Sequence, residues 1–235
     1  MSARHDRALV VLGALGVAAA HAGPALCTRS PALRRALGVR DRCDDRCAVA
    51  LTFDDGPHPR GTPATLGILA AAGVRATFFL VGEQVERHRA VAAEIVAAGH
   101  DVGVHCHRHR NLVRLAPAQV RDDLLRAEAA IVAATGTTPR LYRPPYGVLT
   151  TPALLHARRQ RWAPLLWTRW GRDWRACATA GTIAAEATAG LTGGDVVLLH
   201  DADHYSAPGS WERTVAALPH VVEAIREKGL GMTTA

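Results

Sequence analysis

A chain of 235 residues, 49% hydrophobic and 21% charged, has the length and balance of one globular domain with a single filled core, and no repeat or low-complexity segment interrupts it. Its formal charge of +7 rests almost wholly on scattered arginines, with Lys228 the only lysine, and few aromatic residues are available for base stacking. That combination argues against a nucleic-acid partner and suits an anionic cell-wall or membrane surface.

At the N-terminus, Arg4 and Arg7 precede an apolar stretch over 8–20, and Ala20-His21-Ala22 has the small-x-small form of a cleavage site. The stretch is too short for a membrane span. It predicts export, with a secreted or cell-envelope location; the alternative is an uncleaved Ala-rich helix packed on a cytoplasmic protein. Residues 24–47, rich in Arg, Pro and Cys, read as a linker, so the expected division is an N-terminal segment and linker over 1–47 and the main domain over 48–235. Of the five cysteines, Cys43 and Cys47 sit in a polar loop and could form a small disulfide or stay free, while Cys27, Cys106 and Cys177 have no obvious partner.

From residue 48 strand and helix patterns alternate. The apolar run 48–53 predicts a buried strand, stopped by Asp54-Asp55-Gly56-Pro57. A helix over 63–72 follows, then a strand over 74–81, a helix over 86–98 and a short strand over 101–104. Val120, Leu124, Ala127 and Ile131 line one face of a helix that starts near Pro117. Residues 141–142, 163–167 and 195–199 read as further strands, with a helix starting at Thr151-Pro152 and an Ala-rich helix between them. Residues 211–228 predict a helix bent at Pro219, and 230–233 a last strand. The α/β series predicts parallel strands with outer helices, and its periodicity fits a barrel and an open wound sheet equally.

The residues fit for chemistry fall just after strands, where both architectures gather their active sites. Asp54 and Asp55 are adjacent carboxylates whose side chains point in different directions, so one could bind a metal while the other faces a water on it. His105, His107 and His109 alternate beyond the strand at 101–104. On a helical turn His105 and His109 would share a face and, with Asp55, make a two-histidine, one-carboxylate set suited to zinc or another divalent transition ion; His107 and Cys106 are alternative ligands.

Arg143, in the rigid Arg143-Pro144-Pro145-Tyr146-Gly147 loop, can be held against Asp54 to keep that carboxylate ionised as a base. The prolines donate no N–H, which leaves the Tyr146 N–H to meet a developing oxyanion. The segment 167–174 holds three tryptophans, whose faces suit sugar rings, and Asp173, which could orient a histidine. His200 ends an apolar strand, where it can donate a proton to a leaving amine, and Leu198 borders a pocket the size of a methyl group.

Together these segments resemble the polysaccharide deacetylase family, also known as the NodB homology domain or carbohydrate esterase family 4, over residues 48–230. The resemblance implies a distorted (β/α) barrel, usually of seven strands, and a metal-dependent hydrolase that removes N-linked acetyl groups from amino sugars. By it, Asp54 corresponds to the general base, Arg143 to the arginine that pairs with it, and Asp55, His105 and His109 to the metal ligands. Tyr146 corresponds to the oxyanion donor, and Asp173 to the residue that tunes the acid His200. Trp174 and Leu198 would line the acetyl pocket.

The implied cofactor is Zn²⁺, with Co²⁺ or another transition ion as alternatives. The implied substrate is N-acetylglucosamine in peptidoglycan or a chitin-like glycan. An N-deacylase of a small metabolite and a catalytically weak glycan-binding protein are the alternative readings. Three departures from the family pattern stand out. Cys106 replaces a serine or threonine, Trp170 stands where an aspartate often precedes the Asp-Trp pair, and 201–211 form a long polar insert that could build a distinctive subsite.

Overall fold

The computed structural model describes residue 16 and residues 18–235; Arg4, Arg7 and most of the apolar stretch expected to direct export lie outside them. After helical residues 18–22 come a 3₁₀ turn over Gly23–Thr28 and helix α1 (Pro31–Ala36), and then strands and helices alternate. In order come β1 (Ala48–Asp54), α2 (Gly61–Ala72), β2 (Thr77–Leu80), α3 (Gly82–Arg87), α4 (Arg89–Ala97), β3 (Asp101–Val104), α5 (Pro117–Thr135), β4 (Leu141–Tyr142) and α6 (Thr151–Gln160). The second half holds β5 (Ala163–Pro164), β6 (Arg169–Trp170), α7 (Ala180–Thr188), β7 (Val196–His200), α8 (Ser210–Glu227) and β8 (Gly231–Thr233).

The eight strands are parallel and follow the path β5-β4-β3-β2-β1-β7-β6, with β8 added beside β1. One edge of β1 is shared: Ala48, Val49 and Ala50 pair with β8, and Thr52, Phe53 and Asp54 with β2. The sheet curls into a half-barrel wrapped by helices. Strand alternation sorts the side chains into two cores. Val49, Leu51 and Phe53 of β1, Phe78 and Leu80 of β2, and Val197 and Leu199 of β7 join the large cluster with the helices. Ala50, Phe79, Leu141, Leu165 and Val196 form a small cluster within the curl. Buried on both faces, such strands read as continuous apolar runs rather than as alternating ones.

The expected strand over 163–167 divides. β5 lies at one end of the path and β6 at the other, so residues 165–168 cross the open side of the barrel without a helix. Two of their carbonyls have a side-chain partner. The Arg143 guanidinium donates from Nε to the carbonyl of Leu165 and from Nη2 to that of Leu166, both at 3.0 Å. The residues expected to be a linker also pack here. Arg40 forms a bridge to Leu165 and Arg42 one to Asp195, and Cys27, Val39 and Cys43 are buried.

Other elements differ in detail. The expected helix over 86–98 is two helices, because His88 (φ −130°, ψ 49°) leaves helical geometry between α3 and α4. Pro219 lies inside the continuous helix α8. All five cysteines are free thiols, with Cys43 buried and Cys47 exposed. Among the described residues no helix is long and apolar enough to cross a membrane.

Candidate active site

Asp54 is the last residue of β1 and points into the barrel on the same face as Ala50 and Thr52. Arg143, which follows β4, is fully buried and donates from Nη1 to Asp54 Oδ1 at 2.7 Å and to Thr52 Oγ1 at 2.8 Å. Its guanidinium also lies 4.0 Å from the centroid of the Phe79 ring. One guanidinium therefore joins the carboxylate, the barrel interior and the helixless crossing. Asp54 Oδ2, the oxygen not held by arginine, lies 3.8 Å from His105 Nε2.

Asp55 turns the other way, through a backbone in the left-handed region at φ 76°. Such a conformation disfavours a residue with a side chain and recurs where function demands it. Its Oδ1 lies 3.5 Å from His105 Nε2 and 3.4 Å from His109 Nε2, and it is buried without a hydrogen-bond partner. Burial raises the Asp55 pKa, but the adjacent His105 imidazole and the charges of His200 and His109 outweigh it and hold the carboxyl well below the ordinary carboxylate range.

The histidine segment is a loop rather than the expected helical turn. Cys106 adopts φ 66°, which reverses the chain between His105 and His107. This reversal decides which alternatives face the metal site. Cys106 Sγ turns to the Tyr142 hydroxyl at 4.0 Å, and burial pushes its thiol well above the ordinary value, away from the thiolate a metal would need. His107 turns to Glu86, with Nε2 at 3.8 Å from its carboxylate.

His105 Nδ1 donates to the carbonyl of Arg143 at 2.7 Å, which leaves its Nε2 lone pair for the site in the neutral tautomer. Burial lowers the His109 pKa to about 4 against the opposing pull of Asp55, so this imidazole is neutral at physiological pH. The loop is tied to buried Asp123 of α5, whose Oδ1 accepts from the His107 N–H at 2.7 Å and whose Oδ2 accepts from Arg110 at 2.7 Å.

On the other side of Asp54, the His200 Nε2 lies 4.0 Å from Asp55 Oδ2. Its Nδ1–H donates to Asp173 Oδ1 at 2.9 Å, and Asp173 Oδ2 accepts from the His200 N–H at 2.7 Å and from Thr214 Oγ1 at 2.8 Å. Burial opposes charge on His200, but the Asp173 carboxylate and its hydrogen bond outweigh it and raise the pKa to about 10.

Leu198, Trp167, Trp170, Trp174 and Tyr146 line the same cleft, of about 270 Å³, as Asp54, Asp55, His105, His109 and His200. Arg143 and Asp173 lie directly behind this cleft, whereas Cys106 and His107, the alternative ligands, are turned away from it. Tyr146 is 60% exposed at the mouth, with its backbone at φ 59°. Tyr205 and Ser206 of the insert complete the lining. Nothing in the sequence distinguished them from the rest of the insert.

Sequence pattern does not single out Asp123, which lies within a helix, 14 to 18 positions beyond the histidines of the loop it fixes. Asp201 opens the polar insert, where sequence pattern alone does not set it apart. It is fully buried, accepts from Thr62 Oγ1, and its carboxylate lies 2.8 Å from the position a Cβ would take on Gly56, so the Asp54-Asp55 turn needs glycine there.

The donor atoms of Asp55, His105 and His109 lie within 4.8 Å of one another. Two imidazoles and an ionised carboxylate oxygen without a hydrogen-bond partner among the described residues fit a divalent cation and leave room for further ligands from the cleft.

The chain is similar to known proteins. Residues 41–161 match the family model described as polysaccharide deacetylase, a stretch that contains Asp54, Asp55, His105, His109 and Arg143 and ends before Asp173 and His200. A chitooligosaccharide deacetylase from Bradyrhizobium is 36% identical over 192 residues, covering 77% of this chain and 86% of that protein. A peptidoglycan-N-acetylglucosamine deacetylase from Bacillus cereus is 32% identical over 191 residues, covering 81% and 67% respectively. Among solved structures, a peptidoglycan N-acetylglucosamine deacetylase in complex with 4-naphthalen-1-yl-N-oxidanyl-benzamide superposes with a TM-score of 0.77 at 30% identity, covering 83% of this chain and 89% of that one.

Proposed function

Since the chain belongs to the polysaccharide deacetylase family, we propose that it hydrolyses the acetyl group from the nitrogen of an amino sugar, with N-acetylglucosamine of peptidoglycan or a chitin-like glycan as substrate. The observation that carries this reading is the convergence of three ligand atoms between two separate proton-handling pairs, Asp54 with Arg143 and His200 with Asp173.

Asp55, His105 and His109 would hold the metal, and the mixed imidazole and carboxylate set favours Zn²⁺, with Co²⁺ or another transition ion as a working substitute. Bound there, the ion supplies Lewis-acid polarisation and an acidified water. The chain's own residues do the rest. Asp54, paired with and aimed by Arg143, takes a proton from the attacking water, whose oxygen adds to the acetyl carbonyl carbon. The Tyr146 N–H is the first backbone donor beyond two prolines and meets the oxygen on which negative charge develops. His200, charged by Asp173, gives its Nε2 proton to the nitrogen as the carbon–nitrogen bond breaks, so acetate and a free amine leave. Leu198 and Trp174 take the acetyl methyl, and Trp167 and Trp170 offer faces for the sugar ring.

Acetate release from N-acetylglucosamine oligomers and from purified peptidoglycan, by chelator-stripped protein with and without added Zn²⁺, tests this reading. Metal-dependent release is expected, and none from any of them with metal bound would overturn it. The small cleft, narrowed by Tyr205 and Ser206, favours a second reading as an N-deacylase of a small N-acylated metabolite, which release from short substrates alone would support.

The basic, apolar N-terminal segment supports export to the cell envelope, where an anionic wall would meet a surface of net charge +7. N-terminal sequencing of the native protein is expected to start after Ala22; an intact Met1 would favour the cytoplasm.

A further inference from the structure

The metal-holding histidines are oriented by different means. His105 is fixed by a hydrogen bond from Nδ1 to the carbonyl of Arg143. Among the described residues His109 has no such bond: its Nδ1 is buried without a partner. A metal-ligating histidine ordinarily has its second nitrogen engaged, because otherwise its ring can turn about the last torsion and sweep the ligand atom away.

The His109 ring is instead enclosed by aromatic groups. Tyr205 stacks flat on one side, with centroids 4.5 Å apart and an interplanar angle of 15°. Tyr146 meets it edge-on, at 4.6 Å and 67°. Tyr146 is mostly exposed, whereas Tyr205 is tethered: its hydroxyl donates to Glu83 Oε1 at 2.6 Å and accepts from Gln84 Nε2 at 3.1 Å. The tether is anchored to the histidine loop itself, because the Gly82 and Glu83 N–H groups donate to the carbonyls of Cys106 and His107, both at 2.9 Å. The contacts close a circuit from His109 through Tyr205 and α3 back to His107. The insert is held in turn by Ala207, whose N–H donates to the Trp174 carbonyl at 3.0 Å, and by His204, whose Nε2 donates to the Pro57 carbonyl at 3.3 Å.

We infer that Tyr205 is a positioning residue for the metal site, holding the His109 ring by stacking where His105 is held by a hydrogen bond. The polar insert is thereby part of the metal centre's support as well as a wall of the cleft. The inference rests on the metal reading given above, and its test separates the two.

Zn²⁺ affinity is measured on the full-length apo protein by competition with a chromophoric chelator, and the visible spectrum is recorded with Co²⁺ in place of Zn²⁺. Tyr205→Phe keeps the stacked ring and is expected to bind Zn²⁺ within about threefold of the wild type. Tyr205→Leu removes the ring and is expected to bind about 10- to 100-fold more weakly, the range seen when a ligand's supporting partner is lost, with an altered Co²⁺ spectrum. The thermal midpoint of the apo protein checks folding, and Tyr205→Ser replaces the leucine variant if that one does not fold. Wild-type affinity and spectrum in a folded variant lacking the ring would overturn the inference and leave the metal site standing. A wild-type protein that binds neither ion would overturn the metal reading itself, and the inference with it.

Discussion

Asp54 and His200 are register partners on the adjacent parallel strands β1 and β7. Residues paired in this way share a face of the sheet and a height along it, so the two side chains enter the cleft side by side. Asp55, one residue further and with its backbone reversed, stands between them and the two histidines. The proposed base and acid thus come from the rigid sheet, while the metal ligands come from the turns beyond it.

This division separates two neighbouring aspartates by experiment. Asp54→Asn is expected to keep a full complement of zinc and lose activity by a factor of about 10²–10⁴, the usual contribution of a general base. Asp55→Asn is expected to lose both. Metal analysis of the two purified variants beside their rates checks this, and equal metal loss in both would show the roles to be wrongly divided.

The alkaline side of the pH profile is expected to belong to His200. Its raised pKa, about 10, keeps the imidazole charged through neutrality, so proton donation is lost only as pH climbs through that value. Asp173 is the largest influence raising it. Asp173→Asn should therefore move the alkaline fall in kcat/KM to lower pH as well as slow the reaction. An alkaline limb that stays in place would remove His200 from the acid role.

Replacing Arg143 by methionine leaves Asp54 buried without its partner and strips the Leu165 and Leu166 carbonyls of their donors. Loss of one member of a buried pair destabilises by about 3–5 kcal/mol. Urea unfolding of the metal-free protein measures this, and a change below 1 kcal/mol, expected only on the order of an exposed pair, would mean that the guanidinium does not brace the barrel.

Asp201 offers a test in stability alone. Burial raises its pKa to about 7, against the smaller lowering effect of the Thr62 hydrogen bond. Between the unfolded-chain value of about 4 and about 7 the folded protein holds a proton that the unfolded chain has released, so its contribution to stability falls as pH rises. Asp201→Asn mimics the protonated form. The variant's thermal midpoint is expected to match the wild type near pH 4 and to exceed it increasingly up to pH 8, and parallel curves would contradict this.

The residues most readable from the sequence are those that terminate strands. Asp54, Arg143 and His200 each follow a short apolar run, and a polar residue in that place has few roles other than at the mouth of a parallel sheet. The crossing between β5 and β6 was hidden because Leu165, Leu166 and Trp167 are apolar like a strand, although their partners lie on different sides of the curl. The choice among His105, Cys106, His107 and His109 turns on one left-handed residue, which composition does not disclose. Tyr205 was hidden for a third reason: its stack on His109 joins segments 96 residues apart, and neither carries a local trace of the other.

The helixless crossing at 165–168 has a further consequence. A conventional barrel can exchange its catalytic loops while its frame stays intact, because frame and loops are held by different bonds. In this protein the guanidinium that spans the breach also grips the carboxylate of Asp54, the proposed base. Transplanting the site to a seamless barrel would thus require carrying the breach along with it, and evolution towards a tighter, fully closed sheet would have to surrender the arginine that arms Asp54.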